Sequence, residues 1–254
     1  MKIQKLFLSV ALLCSVSAMA DTEIIAHRGY WRAPGSAQNS LSSYQNADRI
    51  GCFGSEIDVW LTKDGVVVVN HDPSYNGVVL ETATYAGEVK NLKLANGEKL
   101  PTLEEYLQVV KKGKTRLVIE IKTHKDMWRE NLCVDKVLEL VKKYKLTKRV
   151  DYIAFSYNAT LRLIEKAPKG TEVYYLNGDK SPQELKQIGA AGPDYNEHIF
   201  LSKHPEWIAE FKRLGLKVNV WTVDKKENLQ FFIDKGVEFI TTNEPELLKG
   251  MLGK

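Results

Sequence analysis

Residues 55–72 read "SEIDVWLTKDGVVVVNHD", and the fold turns on how the first six are taken. Strand side chains alternate between faces, so Ile57 and Val59 point one way while Glu56 and Asp58 point together the other way. The pattern recurs at "VIEIK", where Glu120 and Lys122 share one face and Ile119 and Ile121 are turned to the other. An apolar outer face needs helices packed over it, which sets the acids on an inner face. Asp64-Gly65 between two apolar runs signals a hairpin, so residues 66–70 should fold back beside the strand that carries "EIDVW".

Working outward, short β-branched runs alternate with amphipathic stretches from residue 23 onward. The strands read "EIIAHRG", "FGSEIDVW", "RLVIEIK", "VDYIAFS", "EVYYLNG", a weak one near "DYNEHIF", "LKVNVWTV" and "EFITTN". Between them lie "SLSSYQNADRI", "TLEEYLQVVKK", "ENLCVDKVLELVKKY", "ATLRLIEKA", "PQELKQIG", "PEWIAEFKRLG", "KENLQFFIDKG" and "PELLKGML". Strand-then-helix alternation at this count is that of an α/β (β/α)8 TIM barrel, a single domain over residues 21–254. Residues 73–100 read as a long irregular connection. In such a barrel the C-terminal strand ends form the active face, which gathers His27, Arg28, Glu56, Asp58, Glu120 and Lys122 at one rim. Cys52 falls at the opposite end and Cys133 in a helix leaving the third strand, too far apart to bridge, so both thiols are expected free and buried.

The first twenty residues, "MKIQKLFLSVALLCSVSAMA", carry Lys2 and Lys5, an apolar run, and the small-residue pattern Ala18-Met19-Ala20. This predicts a signal peptide over residues 1–20, with the mature chain starting at Asp21 and exported to a periplasm or secreted. The apolar run is short for a membrane span, so no stable insertion is expected after cleavage. Bulky Leu13 before Cys14 argues against lipid attachment. The formal net charge is +4; the leader takes two lysines and no acid with it, so the mature chain is nearly balanced. Nothing here favours a nucleic-acid partner, which would want a clustered basic face.

Glu56, Asp58 and Glu120 on neighbouring strands put three carboxylates at one rim, where repulsion raises their pKa values unless a cation neutralises them. All-oxygen ligation suits a hard ion, Mg²⁺ or Ca²⁺ rather than zinc. His27 and His71 end strands at the same rim, and a pair of imidazoles can divide acid and base roles near neutral pH. Arg28 adds a planar, permanent cation suited to phosphate oxygens.

"HRG", "SAQNSLSSY", "SEIDVWLTKDGVVVVNHD", "LPTLEEYL", "LVIEIK", "AFSYN" and "VNVWTVDKKENLQFFIDKGVEFITTNEPELL" occur in the order and spacing of the glycerophosphodiester phosphodiesterase family, which the chain resembles from about residue 24 to 248. The resemblance implies a (β/α)8 barrel that hydrolyses glycerophosphodiesters with a divalent cation. On it, His27 and His71 are similar to the catalytic pair, Glu56, Asp58 and Glu120 to the metal ligands, and Arg28 and Lys122 to the phosphate-binding cations. Trp221 resembles the aromatic wall of the pocket, and Asn39 a retained residue on the substrate side. It also implies that the substrate's own neighbouring hydroxyl attacks first, giving a cyclic phosphate that water then opens. The chain departs from the family's usual P-E-N-T, with Gln38 replacing the glutamate and Ser40 the threonine. Glutamine keeps a carbonyl oxygen but removes a charge, so cation affinity and substrate preference should shift before the chemistry does. Tyr30 and Trp31 are candidates for lining a head-group pocket. Two rivals are an enzyme of the same superfamily acting on a bulkier inositol or sphingolipid head group, and an inactive barrel kept for binding. The oligomeric state is left open.

Overall fold

The computed structural model describes residues 21–254, so the expected leader lies outside the described residues. Along the chain run β1 (Glu23–Ala26), α1 (Leu41–Ile50), β2 (Gly54–Leu61), β3 (Val67–Val69), β4 (Ser74–Tyr75), β5 (Val78–Val79), α2 (Leu103–Val110), β6 (Arg116–Ile121) and α3 (Met127–Lys143). Then follow β7 (Val150–Ala154), α4 (Tyr157–Lys166), β8 (Val173–Tyr175), α5 (Pro182–Ile188), β9 (Gly192–Asn196), α6 (Trp207–Arg213), β10 (Asn219–Trp221), α7 (Lys226–Lys235), β11 (Phe239–Thr242) and α8 (Pro245–Leu252). The parallel strands pair in the order β1-β11-β10-β9-β8-β7-β6-β2, and β1 pairs with β2 to close the barrel. The expected single-domain (β/α)8 barrel is therefore what forms. Among the described residues no helix is long and apolar enough to cross a membrane.

Ile57, Val59, Ile119 and Ile121 do face outward, packed with Leu103, Leu107, Val134 and Val137 of α2 and α3. Inside, Ile25, Val118, Ile153, Tyr174, Leu176 and Phe239 fill the barrel as a second, separate cluster. Below them Arg116 forks onto Asp151, with Nε donating to Oδ2 at 2.9 Å and Nη2 to Oδ1 at 2.6 Å. A plugged lower half leaves only the C-terminal mouth open to a ligand.

β3 runs antiparallel to β2, with Val59 opposite Val69, as the Asp-Gly turn requires. The stretch expected to be an irregular connection is more ordered than that. It forms the β4–β5 ribbon and a π-helical turn at Tyr85–Val89, and buries Leu80, Val89, Leu94 and Leu100 against Trp60 and Val68. Its apolar residues are too widely spaced to show a period, so only the surface they cover reveals them. The weak strand near "DYNEHIF" starts earlier than its residues suggest. β9 begins at Gly192-Pro193, poor strand formers held by the ladder on either side. Gly192 is required there: a Cβ would lie 1.8 Å from the Lys217 carbonyl oxygen. Cys52 and Cys133 are free and buried, as expected.

Candidate active site

β1 delivers His27 and Arg28 to the mouth, where the His27 amide donates to the Thr242 carbonyl at 3.0 Å. The chain then turns sharply through Arg28 and Gly29, both at positive φ (55° and 75°). Glycine is needed at 29, since a Cβ would fall 2.2 Å from Ser43 Oγ of α1. The turn aims the Arg28 amide at Glu56 Oε2, 2.7 Å away. Ser40 caps α1 by accepting from the Ser43 amide at 3.0 Å, so the serine keeps the hydroxyl that a threonine would supply.

β2 and β6 pair with Asp58 directly opposite Glu120. Glu56, Asp58 and Glu120 are all buried, and each offers an oxygen within 4.8 Å of the others. Lys122 Nζ lies 3.1 Å from Asp58 Oδ1 and 2.7 Å from Glu120 Oε1, and Arg28 Nε lies 3.7 Å from Asp58 Oδ2. Asp58 is further clamped by Asn39, which donates to Oδ2 at 2.8 Å and accepts from the Asp58 amide at 3.2 Å. Burial disfavours the Asp58 anion, yet Lys122, His71, Asn39 and Arg28 outweigh it and hold its pKa below the ordinary value. Glu56 has only the Arg28 amide and charge in support. Burial first, then the charges of Asp58 and Glu120, push it well above its ordinary value, and its Oε1 makes no hydrogen bond. Burial and Asp58 likewise push Glu120 up to about 8. Three acids against two fixed cations, with a buried carboxylate oxygen left over, is a donor set that fits a hard metal ion.

Both histidines reach this cluster. His27, Arg28, Glu56, His71, Glu120 and Trp221 line one small lobe of ≈ 120 Å³. A larger open groove of ≈ 410 Å³ adjoins it and shares Arg28 and His71; Trp31, Gln38, Asn39, Asp72 and Tyr75 face it. Trp31 thus takes the lining position expected of it, while Tyr30 packs into the outer core beside α1 and α8. Gln38 Oε1 accepts from Arg28 Nη1 at 2.7 Å. Asn39, only 2% exposed, spends both ends of its amide on Asp58, and Lys122 spends its ammonium on two acids. Their geometry is that of residues that shape the carboxylates. Trp221 stands edge-on to Phe155, with ring centroids 5.5 Å apart, and walls the lobe.

Sequence reasoning missed the group that orients His27. Asn243, just past β11, accepts on Oδ1 from His27 Nδ1 at 2.9 Å and from Trp31 Nε1 at 2.9 Å. Its Nδ2 donates to Asp224 Oδ2 at 2.8 Å, and its backbone amide to Asp224 Oδ1 at 2.8 Å. With the amide held this way round, His27 carries its proton on Nδ1 and presents the Nε2 lone pair. Burial, then Arg28, lowers the His27 pKa to about 4, so the ring is neutral at physiological pH. The signal was available: "TTN" ends a strand at the same rim. His71, on the loop after β3, is more open, and its Nδ1 lies 2.7 Å from Asp72 Oδ1.

Two imidazoles, the Arg28 guanidinium and the carboxyls of Glu56, Glu120 and Asp194 border this lobe. Fold and site together define a barrel enzyme of phosphate-ester chemistry. Residues 27–247 match the model of the glycerophosphoryl diester phosphodiesterase family. A glycerophosphodiester phosphodiesterase of Caldanaerobacter subterraneus subsp. tengcongensis is 29% identical over 251 residues, covering 92% of this chain and 98% of that protein. The crystal structure of a glycerophosphodiester phosphodiesterase from Parabacteroides distasonis is 47% identical, with a TM-score of 0.89 over 92% of this chain and 98% of its own. An Oleispira antarctica phosphodiesterase, solved in complex with the product sn-glycerol-3-phosphate, shares the fold at 22% identity, with a TM-score of 0.78 over 91% of this chain and 97% of its own. The chain belongs to the glycerophosphoryl diester phosphodiesterase family and is a phosphoric diester hydrolase.

Proposed function

We propose that the protein is an exported, divalent-cation-dependent enzyme that hydrolyses glycerophosphodiesters to glycerol 3-phosphate and an alcohol, with His27 and His71 as its acid–base pair. The observation that carries this reading is the opening of both imidazoles, Arg28, Glu56 and Glu120 into one lobe, with Asp58 converging on the same two acids. The product bound to the Oleispira relative supports the same substrate class.

Glu56, Asp58 and Glu120 would hold the cation, Ca²⁺ or Mg²⁺, which when bound supplies Lewis-acid stabilisation of the phosphate oxygens. Arg28 complements the phosphate charge from the other side. His27, which borders only the small lobe and has Nε2 free, takes the proton of the attacking hydroxyl as its oxygen bonds to phosphorus. His71 borders both the lobe and the open groove, so it meets the leaving alcohol there and protonates its oxygen as the P–O bond breaks. The two exchange roles when water opens the cyclic phosphate.

The test is purified protein incubated with glycerophosphocholine, with released glycerol phosphate measured with and without chelator. Wild type should turn over and the chelator should stop it. His27→Ala should lose at least about 100-fold in rate while keeping its unfolding midpoint, because a positioned acid or base is worth that much. A variant retaining more than about a tenth of the activity overturns the assignment. Export rests on the leader pattern of residues 1–20, and N-terminal sequencing of protein from the periplasmic or culture fraction should begin at Asp21.

A further inference from the structure

The small lobe holds one acid that the proposed chemistry does not use. Asp194 projects from β9 into the barrel, is 1% exposed and lines the lobe opposite the catalytic rim. Its Oδ1 makes no hydrogen bond. It lies outside the group of acids whose oxygens converge within 4.8 Å, so the cation has no claim on it. Around it the lobe is mainly apolar, walled by Ile153, Phe155, Leu176 and Trp221 with Thr222 and Thr241 beside them, and Trp221 Nε1 is fixed on the Asp194 carbonyl at 2.9 Å. The neighbouring Asn219, paired with Asp194 across the ladder, has its Oδ1 taken by Thr241 Oγ1 at 3.2 Å and the Val220 amide at 2.9 Å, while its side-chain amide gives the Asp194 carboxylate partial support. A buried carboxyl oxygen without a partner costs free energy unless a ligand completes it.

Resting on the function proposed above, we infer that Asp194 is a specificity-determining residue that binds a hydroxyl of the substrate's glycerol moiety, seating that moiety in the small lobe and the head group in the open groove. The lobe, ≈ 120 Å³, is the smaller of the two adjoining spaces, and the groove of ≈ 410 Å³ beside it leaves room for the larger substituent. Burial and the charge of Glu120 push the Asp194 carboxyl well above its ordinary range. A neutral carboxyl both donates to and accepts from an alcohol, and it does not repel the phosphate. The apolar walls then pack on the carbon chain.

The experiment compares glycerol 3-phosphate with propyl phosphate, the same skeleton without its hydroxyls, by calorimetry on Ca²⁺- or Mg²⁺-supplied protein. Wild type should bind glycerol 3-phosphate at least about 10-fold more tightly, since a site built for a hydroxyl rejects the analogue lacking it. In Asp194→Ala the preference should fall below about 3-fold, while Asp194→Asn, which keeps a donor and an acceptor, should retain most of it. Equal affinities in wild type, or an unchanged preference in Asp194→Ala, overturn the inference. So does loss of cation binding in Asp194→Asn, which would make the residue a metal ligand. The wild-type comparison reads the inference even if Asp194→Ala does not fold. Wild type that hydrolyses no glycerophosphodiester refutes the proposed function, whereas normal turnover with no hydroxyl preference refutes only the role of Asp194.

Discussion

Lowering the pH from about 8 to about 6 should weaken cation binding about 50-fold, because one proton on Glu120 must leave before the ion can enter. The Glu120 carboxyl is pushed up to about 8 by burial and by Asp58, so in the cation-free protein it is protonated through the neutral range. The first pH unit below that value costs about a factor of five in apparent affinity and the next about a factor of nine, and at pH 7 about 0.9 proton is released from this residue per ion bound. Glu56, raised by burial and both neighbouring acids, adds to the release. The stability of the cation-free protein moves with it. A carboxyl whose folded pKa is raised stabilises the fold fully below its ordinary value of 4.5 and loses that contribution as pH rises through about 8. The unfolding free energy should therefore fall by up to about 1.4 kcal/mol per pH unit across that window, and saturating cation should abolish the loss. Calorimetry at several pH values in two buffers of different ionisation enthalpy measures both affinity and protons. Affinity that is flat between pH 6 and 8, with no proton released, would refute this account of the carboxylate cluster.

Asn243→Ala should lower kcat about 10- to 100-fold, the usual effect of removing the partner that orients a functional histidine; steady-state kinetics beside an unchanged unfolding midpoint checks it. Gln38→Glu places a further carboxylate on Arg28 and should tighten cation binding about 3- to 10-fold at low salt, an effect that shrinks as salt is raised. Gly29→Ala should cost about 2–4 kcal/mol in a denaturant titration, since it combines a left-handed backbone with a clash against α1; a loss under about 0.5 kcal/mol would mean that the turn after β1 yields freely.

Much of the site was legible because strand periodicity is a local property. "EIDVW" and "VIEIK" each state which residues share a face, and the rule that barrel sites lie at C-terminal strand ends does the rest. Gln38 and Asn39 were legible as a departure and a retention, but not as the partners of Arg28 and Asp58, because those contacts join a loop to strands that only folding brings together. Trp31 and Tyr30, adjacent in sequence, part company: one borders the open groove and the other enters the outer core.

The alternation of apolar and polar residues by itself determined the barrel, the inward direction of Glu56, Asp58 and Glu120, and the rim that holds His27 and His71. Only the tertiary structure decided how those groups are held and opposed. The bond from Asn243 to His27 spans 216 residues, and the place of Asp194 on the far wall of the same lobe follows from closing eight strands into a ring. Side-chain direction along a strand is fixed by its own backbone, whereas a hydrogen-bond partner or a cavity wall comes from whichever distant segment the packed barrel sets opposite.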